Sequence, residues 1–439
     1  MRTTMSLRGL FLAICAMLLS AALAAPKNII LMIGDGMGPD SVYAAGAYTF
    51  GNDYHLFGGK EMLTMETLRN HLYVTTFSSE GHGYDFDWTG GNWDYVKTRA
   101  TDSAAAATAL ATGVKTYDAA IGVNPRKQPL TNIVEIAKKR GMKTGVISTV
   151  PFSHATPAGF TAHNESRNNY TALTHDMIFN VQPDVIMGAG HPDGAQAGKE
   201  YEYITKEDWE ALRDGKTPYT LIQDRADFQK LIAQPQQGRV FGAFRNHFCM
   251  KYCNADRAAA DPNLPTPAEM AEGTLQTLNN PNGFFVMIEG GAIDWCNHAD
   301  DLNGSIGETL AFDEAIDAVI KWIARNGGWE QNLLIVTADH DTGYLNSVQP
   351  TEKGKLPNVK WGTDEKKWTS HTNRLVDVFS QGDGAALLTQ IAKDAQDFER
   401  GKIRCIDNTD IFKAMDAALG LRGAQAPAGA RRKAVAVAG

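Results

Sequence analysis

The chain has 439 residues, and its 50 acidic side chains outnumber 42 Lys and Arg, for a formal charge of −8. That balance argues against a nucleic-acid partner, which requires a basic surface. The length suits one large α/β domain or two modest ones.

In chain order, Met1 to Ala25 carries Arg2 and Arg8 ahead of an apolar stretch from Leu10 to Leu23. The stretch is short for a membrane span, and Ala22-Leu23-Ala24 fits a signal-peptidase site. Residues 1–24 are therefore expected to be a signal peptide, cleaved after Ala24. The mature protein is expected to be periplasmic or secreted, with no membrane anchor. Residues 25–421 are predicted to form a single domain. Residues 422–439 are rich in Ala, Gly, Pro and basic residues without an apolar period, and are expected to be a disordered tail.

Four short apolar runs read as buried parallel strands: Asn28–Ile33, Thr144–Thr149, Phe284–Ile288 and Leu333–Thr337. Asp184–Met187 and Val240–Phe244 are weaker candidates. Helical spacing covers Leu130–Arg140, with Gly141 as its cap, and Ile306–Arg325. Glu80–Asp94 reads as a loop, and His191–Tyr219 as polar and partly helical. The alternation predicts an α/β three-layer sandwich, a mostly parallel central sheet with helices on both faces. Export permits disulfides. Cys249 and Cys253 are close enough to pair, and free thiols are the alternative.

Ligands of such sheets bind beyond the carboxyl ends of the strands. Asp35 follows the first strand, His154 and Thr156 the second, Glu289, Asp294 and His298 the third, and Asp339 and His340 the fourth. Four strands thus deliver metal-competent residues at one end. Ser103, in Thr101-Asp102-Ser103-Ala104-Ala105, opens an Ala-rich run of high helix propensity. A helix N-terminus there favours an anion, although Asp102 or Ser103 could serve only as an N-cap. A serine needs a base or a metal to become a nucleophile. No G-x-S-x-G elbow is present, which leaves metal activation. Carboxylate and imidazole together suit zinc; an oxygen-only set of Asp35, Thr156 and Glu289 suits magnesium. Cys296, between Asp294 and His298, is not expected to join them.

The chain resembles the alkaline phosphatase family. The matching runs are Ile33-Gly34-Asp35-Gly36-Met37-Gly38, Thr101 to Ala105, His154-Ala155-Thr156-Pro157-Ala158, Ala162-His163 through Arg167, Glu289-Gly290 through Asp294 and His298, and Thr337-Ala338-Asp339-His340. The resemblance implies Ser103 as a nucleophile that becomes phosphoserine, and Arg167 as the group that grips two phosphate oxygens. It implies one zinc ion on Asp294, His298 and His371, and a second on Asp35, Asp339 and His340. A magnesium ion on Asp35, Thr156 and Glu289 completes the set. Substrates would be small phosphate monoesters, with inorganic phosphate as product, and the assembly a homodimer. Two positions depart from the enterobacterial pattern. His154 stands where that pattern has Asp, and Trp295 where it has Lys, as in some marine and cold-adapted relatives. The first departure puts the third ion's affinity in question, and the second removes a positive charge near the phosphate.

Other readings are a phosphodiesterase or nucleotide pyrophosphatase of the same superfamily, and a non-catalytic exported binder of metal or phosphate. Ser103, Glu289 and Arg167 favour the monoesterase. A sulfatase would need Cys or Ser followed by x-Pro-x-Arg, which is absent.

Overall fold

The computed structural model describes residues 25–425 except 56–59, 82, 87–92, 195–199, 235–237, 247–254, 256–260, 364–366 and 398–399. The expected signal peptide, the Cys249–Cys253 pair and residues 426–439 lie outside the described residues. Cys296 and Cys405 are buried.

In chain order the strands are β1 (Asn28–Gly34), β2 (Asn70–Thr75), β3 (Lys143–Pro151), β4 (Val185–Ala189), β5 (Tyr219–Ile222), β6 (Arg239–Ala243), β7 (Phe284–Gly290) and β8 (Asn332–Ala338). There follow β9 (Asp341–Thr342), β10 (Leu345–Gln349), β11 (Asn358–Trp361), β12 (His371–Thr372), β13 (Val376–Gly382), β14 (Lys393–Asp397) and β15 (Gly401–Asp407). Eleven of them form one sheet in the order β14-β15-β2-β13-β8-β1-β7-β3-β4-β6-β5. From β8 to β5 every pairing is parallel. β13 runs antiparallel to β8 and β2, and β14 antiparallel to β15.

All four strands predicted with most apolar sequence are present, and so are the two weaker ones. β1, β7 and β8 are buried along their whole length, which explains why they read as continuous apolar runs rather than alternating ones. The helices fall into two groups. Pro267–Leu278 and Leu302–Arg325 pack on each other and against β1, β3, β4 and β7. Ser103–Thr112, Ile133–Lys139, Ala155–Gly159 and Asn408–Gln425 form the second group, also against β3 and β7. The predicted helix over 130–140 begins later, at Ile133, because Asn132 caps it: its side chain accepts from Glu135 N while Glu135 reaches back to Asn132 N. The helix expected from Ile306 starts four residues earlier, at Leu302, capped by Asp301. The last helix extends to Gln425, past the predicted domain end at 421.

β8, β1, β7 and β3 are immediate neighbours, and they are the four strands that carry predicted site residues. Their registers align the ends: Gly34 lies opposite both Gly290 and Ala338, and Ser148 opposite Glu289. Glu289 is a correction of detail, since it lies inside β7 rather than after it. No helix among the described residues is long and apolar enough to cross a membrane.

Candidate active site

The Ser103–Thr112 helix presents Ser103 at its first turn. Asp102 is the N-cap and accepts from Ala105 N at 2.9 Å. Asp102 thus satisfies one exposed helix donor, and its second oxygen receives Arg167 Nη1 at 2.9 Å. Ser103 itself makes no cap hydrogen bond; its Oγ lies 3.1 Å from His340 Nε2. The cap and the candidate nucleophile are therefore adjacent but separate residues.

Around Ser103 the predicted ligands converge. Asp294 and His298 occupy one short helix, Ala292–His298, at the spacing that puts both on one face. Asp294, His298 and His371 bring one ligand atom each within 4.8 Å of one another, and so do Asp35, Asp294 and His340. Asp339 belongs beside the second group: its Oδ2 lies 3.3 Å from His340 Nε2, and Asp35 Oδ1 lies 3.5 Å from the same nitrogen. Asp339 Oδ1 is already held by Gly36 N and His340 N, each at 3.0 Å. The carboxylate of Asp294 therefore reaches toward both groups, more than the sequence suggested.

Hydrogen bonds from the far side of each ring aim the imidazoles. His371 Nδ1 meets Thr101 O at 2.8 Å, and His298 Nδ1 meets Thr369 O. Both rings thereby turn Nε2 inward, 3.3 Å apart. This is the outer support usual for metal-bound histidine. No sequence pattern points to Thr342, whose hydroxyl touches Asp294 and His340.

Thr156, Asp35 and Glu289 are fully or almost fully buried. Ser148 Oγ donates to Glu289 Oε2, but Glu289 Oε1, Thr156 Oγ1, both Asp35 oxygens and Asp339 Oδ2 have no hydrogen-bond partner. Unpaired buried polar atoms are costly. Burial and neighbouring carboxylates push Asp35 well above the usual carboxylate range. Burial likewise pushes Glu289 up to about 7 and Asp339 up to about 8. Asp294 goes the other way: burial would raise it, but the hydrogen bond from His298 and three nearby imidazoles hold it low. Four buried carboxylates with several under-partnered oxygens fit cations.

His154 and Trp295 line the cavity with Ser103, Arg167, Asp294, His298 and His371, in a space of about 590 Å³. The His154 and Trp295 rings meet edge to face at 5.5 Å. His154 Nε2 lies 3.3 Å from Arg167 Nη2. Burial, and then the Arg167 charge, push His154 down to about 3, so it is a neutral acceptor that backs the guanidinium. Seven of the twelve predicted site residues thus line one cavity, and the other five, Asp35, Thr156, Glu289, Asp339 and His340, are buried. A second cavity of about 600 Å³, beside Phe77, Tyr84 and Ile406, contains none of them.

Comparison with known proteins bears on the family and the fold. A family model described as alkaline phosphatase matches residues 26–417. The alkaline phosphatase of Escherichia fergusonii is 32% identical over 444 aligned residues, covering 90% of this chain and 86% of that protein. The structure of alkaline phosphatase from the Antarctic bacterium TAB5 superposes with a TM-score of 0.66 at 25% identity, covering 91% of this chain and 99% of that one. A variant of the TAB5 enzyme has magnesium bound in its M3 site. A cold-active alkaline phosphatase from a psychrophilic Shewanella gives 0.67 at 27% identity, with 89% and 99% coverage. By sequence and by fold, the chain belongs to the alkaline phosphatase family of metal-dependent phosphomonoesterases.

Proposed function

We propose that the protein hydrolyses small phosphate monoesters through a phosphoserine on Ser103. The observation that carries this reading is the Ser103 hydroxyl at a helix N-terminus, 3.1 Å from His340 Nε2 and beside a cluster of under-partnered buried carboxylates. Zinc would be held by Asp294, His298 and His371, and a second zinc by Asp35, Asp339 and His340. Magnesium would be held by Asp35, Thr156 and Glu289. Bound there, the cations supply Lewis-acid charge to the attacking and leaving oxygens.

The chain's own groups do the rest. Arg167 is held by Asp102 and backed by His154, so its fork is preorganised for two phosphoryl oxygens. Ser103 Oγ attacks phosphorus in line and gives its proton to solvent water, while the bond to the leaving oxygen breaks and that oxygen takes a proton from water. Water then attacks the phosphoserine, releases inorganic phosphate and returns the hydroxyl. His340 is not the base that a bare Ser–His contact suggests. Its Nε2 also faces Asp35 and Asp339 at 3.5 and 3.3 Å, and a ligating nitrogen has no lone pair for a proton. His154 replaces a carboxylate at the edge of the third site, so magnesium binds there weakly. Trp295 contributes no charge beside the phosphate, which favours product release. Export to the periplasm or medium and a homodimeric assembly complete the proposal.

Rates on a nitrophenyl monoester and on the bis-ester test the reading. The monoester should be the better substrate by at least about 100-fold, of the order lost with one oxyanion contact. A preference for the diester would favour a phosphodiesterase, and zinc-loaded protein inactive on both would favour a binding protein.

A further inference from the structure

We infer that Thr342 is a positioning residue that couples the two zinc cradles by fixing Asp294 and His340 with a single hydroxyl. The inference rests on the cation-binding part of the proposed function.

Thr342 is fully buried. Its Oγ1 lies 2.6 Å from Asp294 Oδ1 and 3.2 Å from His340 Nδ1. The direction of each bond follows from the donor count. A ligating carboxylate is deprotonated and only accepts. The single hydroxyl hydrogen therefore goes to Asp294 Oδ1, and the oxygen must accept from His340 Nδ1–H. That places the ring proton of His340 on Nδ1 and leaves the Nε2 lone pair facing Asp35, Asp339 and Ser103. The same bond engages Oδ1 of Asp294 and turns Oδ2 to His298, 3.2 Å away. One side chain thus sets the tautomer of a ligand in one cradle and the carboxylate orientation in the other.

The backbone reinforces this. Thr342 in β9 pairs directly opposite His371 in β12, so it is also in register with a third ligand. Room for the contact comes from Gly36. It has φ +64°, and a Cβ there would sit 2.6 Å from Asp294 Oδ1 and 2.8 Å from Thr342 Oγ1. Valine in place of Thr342 keeps the β-branched shape and removes the relay; serine keeps the relay.

The test is zinc competition against a chromogenic chelator on the full chain, for wild type, T342S and T342V. Loss of an outer-shell partner weakens metal binding by roughly 10–100-fold. T342V should release zinc from both cradles at least about tenfold more readily, while T342S tracks wild type. The zinc-free T342V should melt less far below zinc-free wild type than the loaded variant does below loaded wild type. T342A carries the same expectation should T342V not fold. Unchanged zinc affinity in T342V would overturn the inference. So would a T342S as weak as T342V, or a zinc-free T342V that melts as far below wild type as the loaded one does. Zinc binding is read without turnover, so an inactive wild type with this pattern would sink the phosphatase reading and leave the coupling intact.

Discussion

At the scale of single residues, the site works by pairing groups whose partners are remote in sequence. Arg167 is fixed by Asp102 and His154. Arg167→Ala should lower kcat/KM by about 100-fold, as loss of one preorganised charge contact does, with zinc content unchanged. A fall below threefold would mean that the phosphate is gripped elsewhere. His163, four residues earlier, anchors the same loop. Its Nε2 meets Leu130 O at 2.9 Å, and it lies 3.6 Å from both Glu135 and Asp176. Burial would lower its pKa, but the bonds to Asp176 and Glu135 push it up to about 10. The folded state thus binds that proton more tightly than the unfolded chain does. The stabilisation is complete below the ordinary 6.5 and is lost as pH rises through about 10. Urea midpoints measured from pH 6 to 10.5 should fall over that window in wild type and stay flatter in His163→Gln. Equal slopes would remove the charged ring from the account. Most candidate ligands were legible in the sequence because carboxylates and imidazoles stood at strand ends, whereas His371 was reached only through the family resemblance. Thr342, Ser148 and the Asp102–Arg167 link were not legible, since a hydroxyl or an ion pair declares its role only through neighbours far along the chain.

At the scale of elements, four neighbouring parallel strands deliver candidate ligands to one rim, and two short helices complete it. The Ala-rich Ser103–Thr112 helix is buried throughout, and its small side chains let the Ala155–Gly159 helix lie very close. A Cβ on Gly159 would sit 2.7 Å from that of Ala107. Ala107→Leu should therefore cost about 1–3 kcal/mol through overpacking. It should also lower turnover more than a similarly destabilising change in the Pro267–Leu278 helix, because it separates Ser103 from Thr156. Equal activity loss in the two variants would make the effect a matter of general stability. The central strands were readable because burial on both faces makes them continuously apolar. β14, Lys-Asp-Ala-Gln-Asp at the sheet edge, has no such pattern and is recruited only by pairing with β15. β2 and β13 carry buried and half-buried polar residues, including Asp377 against His71 at 2.8 Å, which hid them as well. Strand order, too, is tertiary information: nothing local says that β7 and β8 flank β1.

At the scale of the whole molecule, the fold buries four carboxylates beside one another. Cations that bind only the folded state stabilise it by mass action, by about 4 kcal/mol at a thousandfold excess over Kd. Chelation should therefore lower the melting temperature by several degrees, as a shift of that size does for a chain of this length, and zinc should restore it. A melting temperature indifferent to both would mean that the carboxylates are neutralised by protons instead. Burial favours protonation at Glu289 and Asp339, at about 7 and about 8, so the chelator effect should grow as pH rises through that range and level off above it. The central claim is that Ser103 accepts the phosphoryl group inside this metal cradle. It is tested most directly by the turnover of Ser103→Ala at a zinc content measured on the same sample. The expected result is wild-type zinc with turnover reduced by at least about 1000-fold, of the order of losing a general acid–base or nucleophilic group. Substantial turnover with full zinc would contradict it, because the metals would then carry the reaction without the serine.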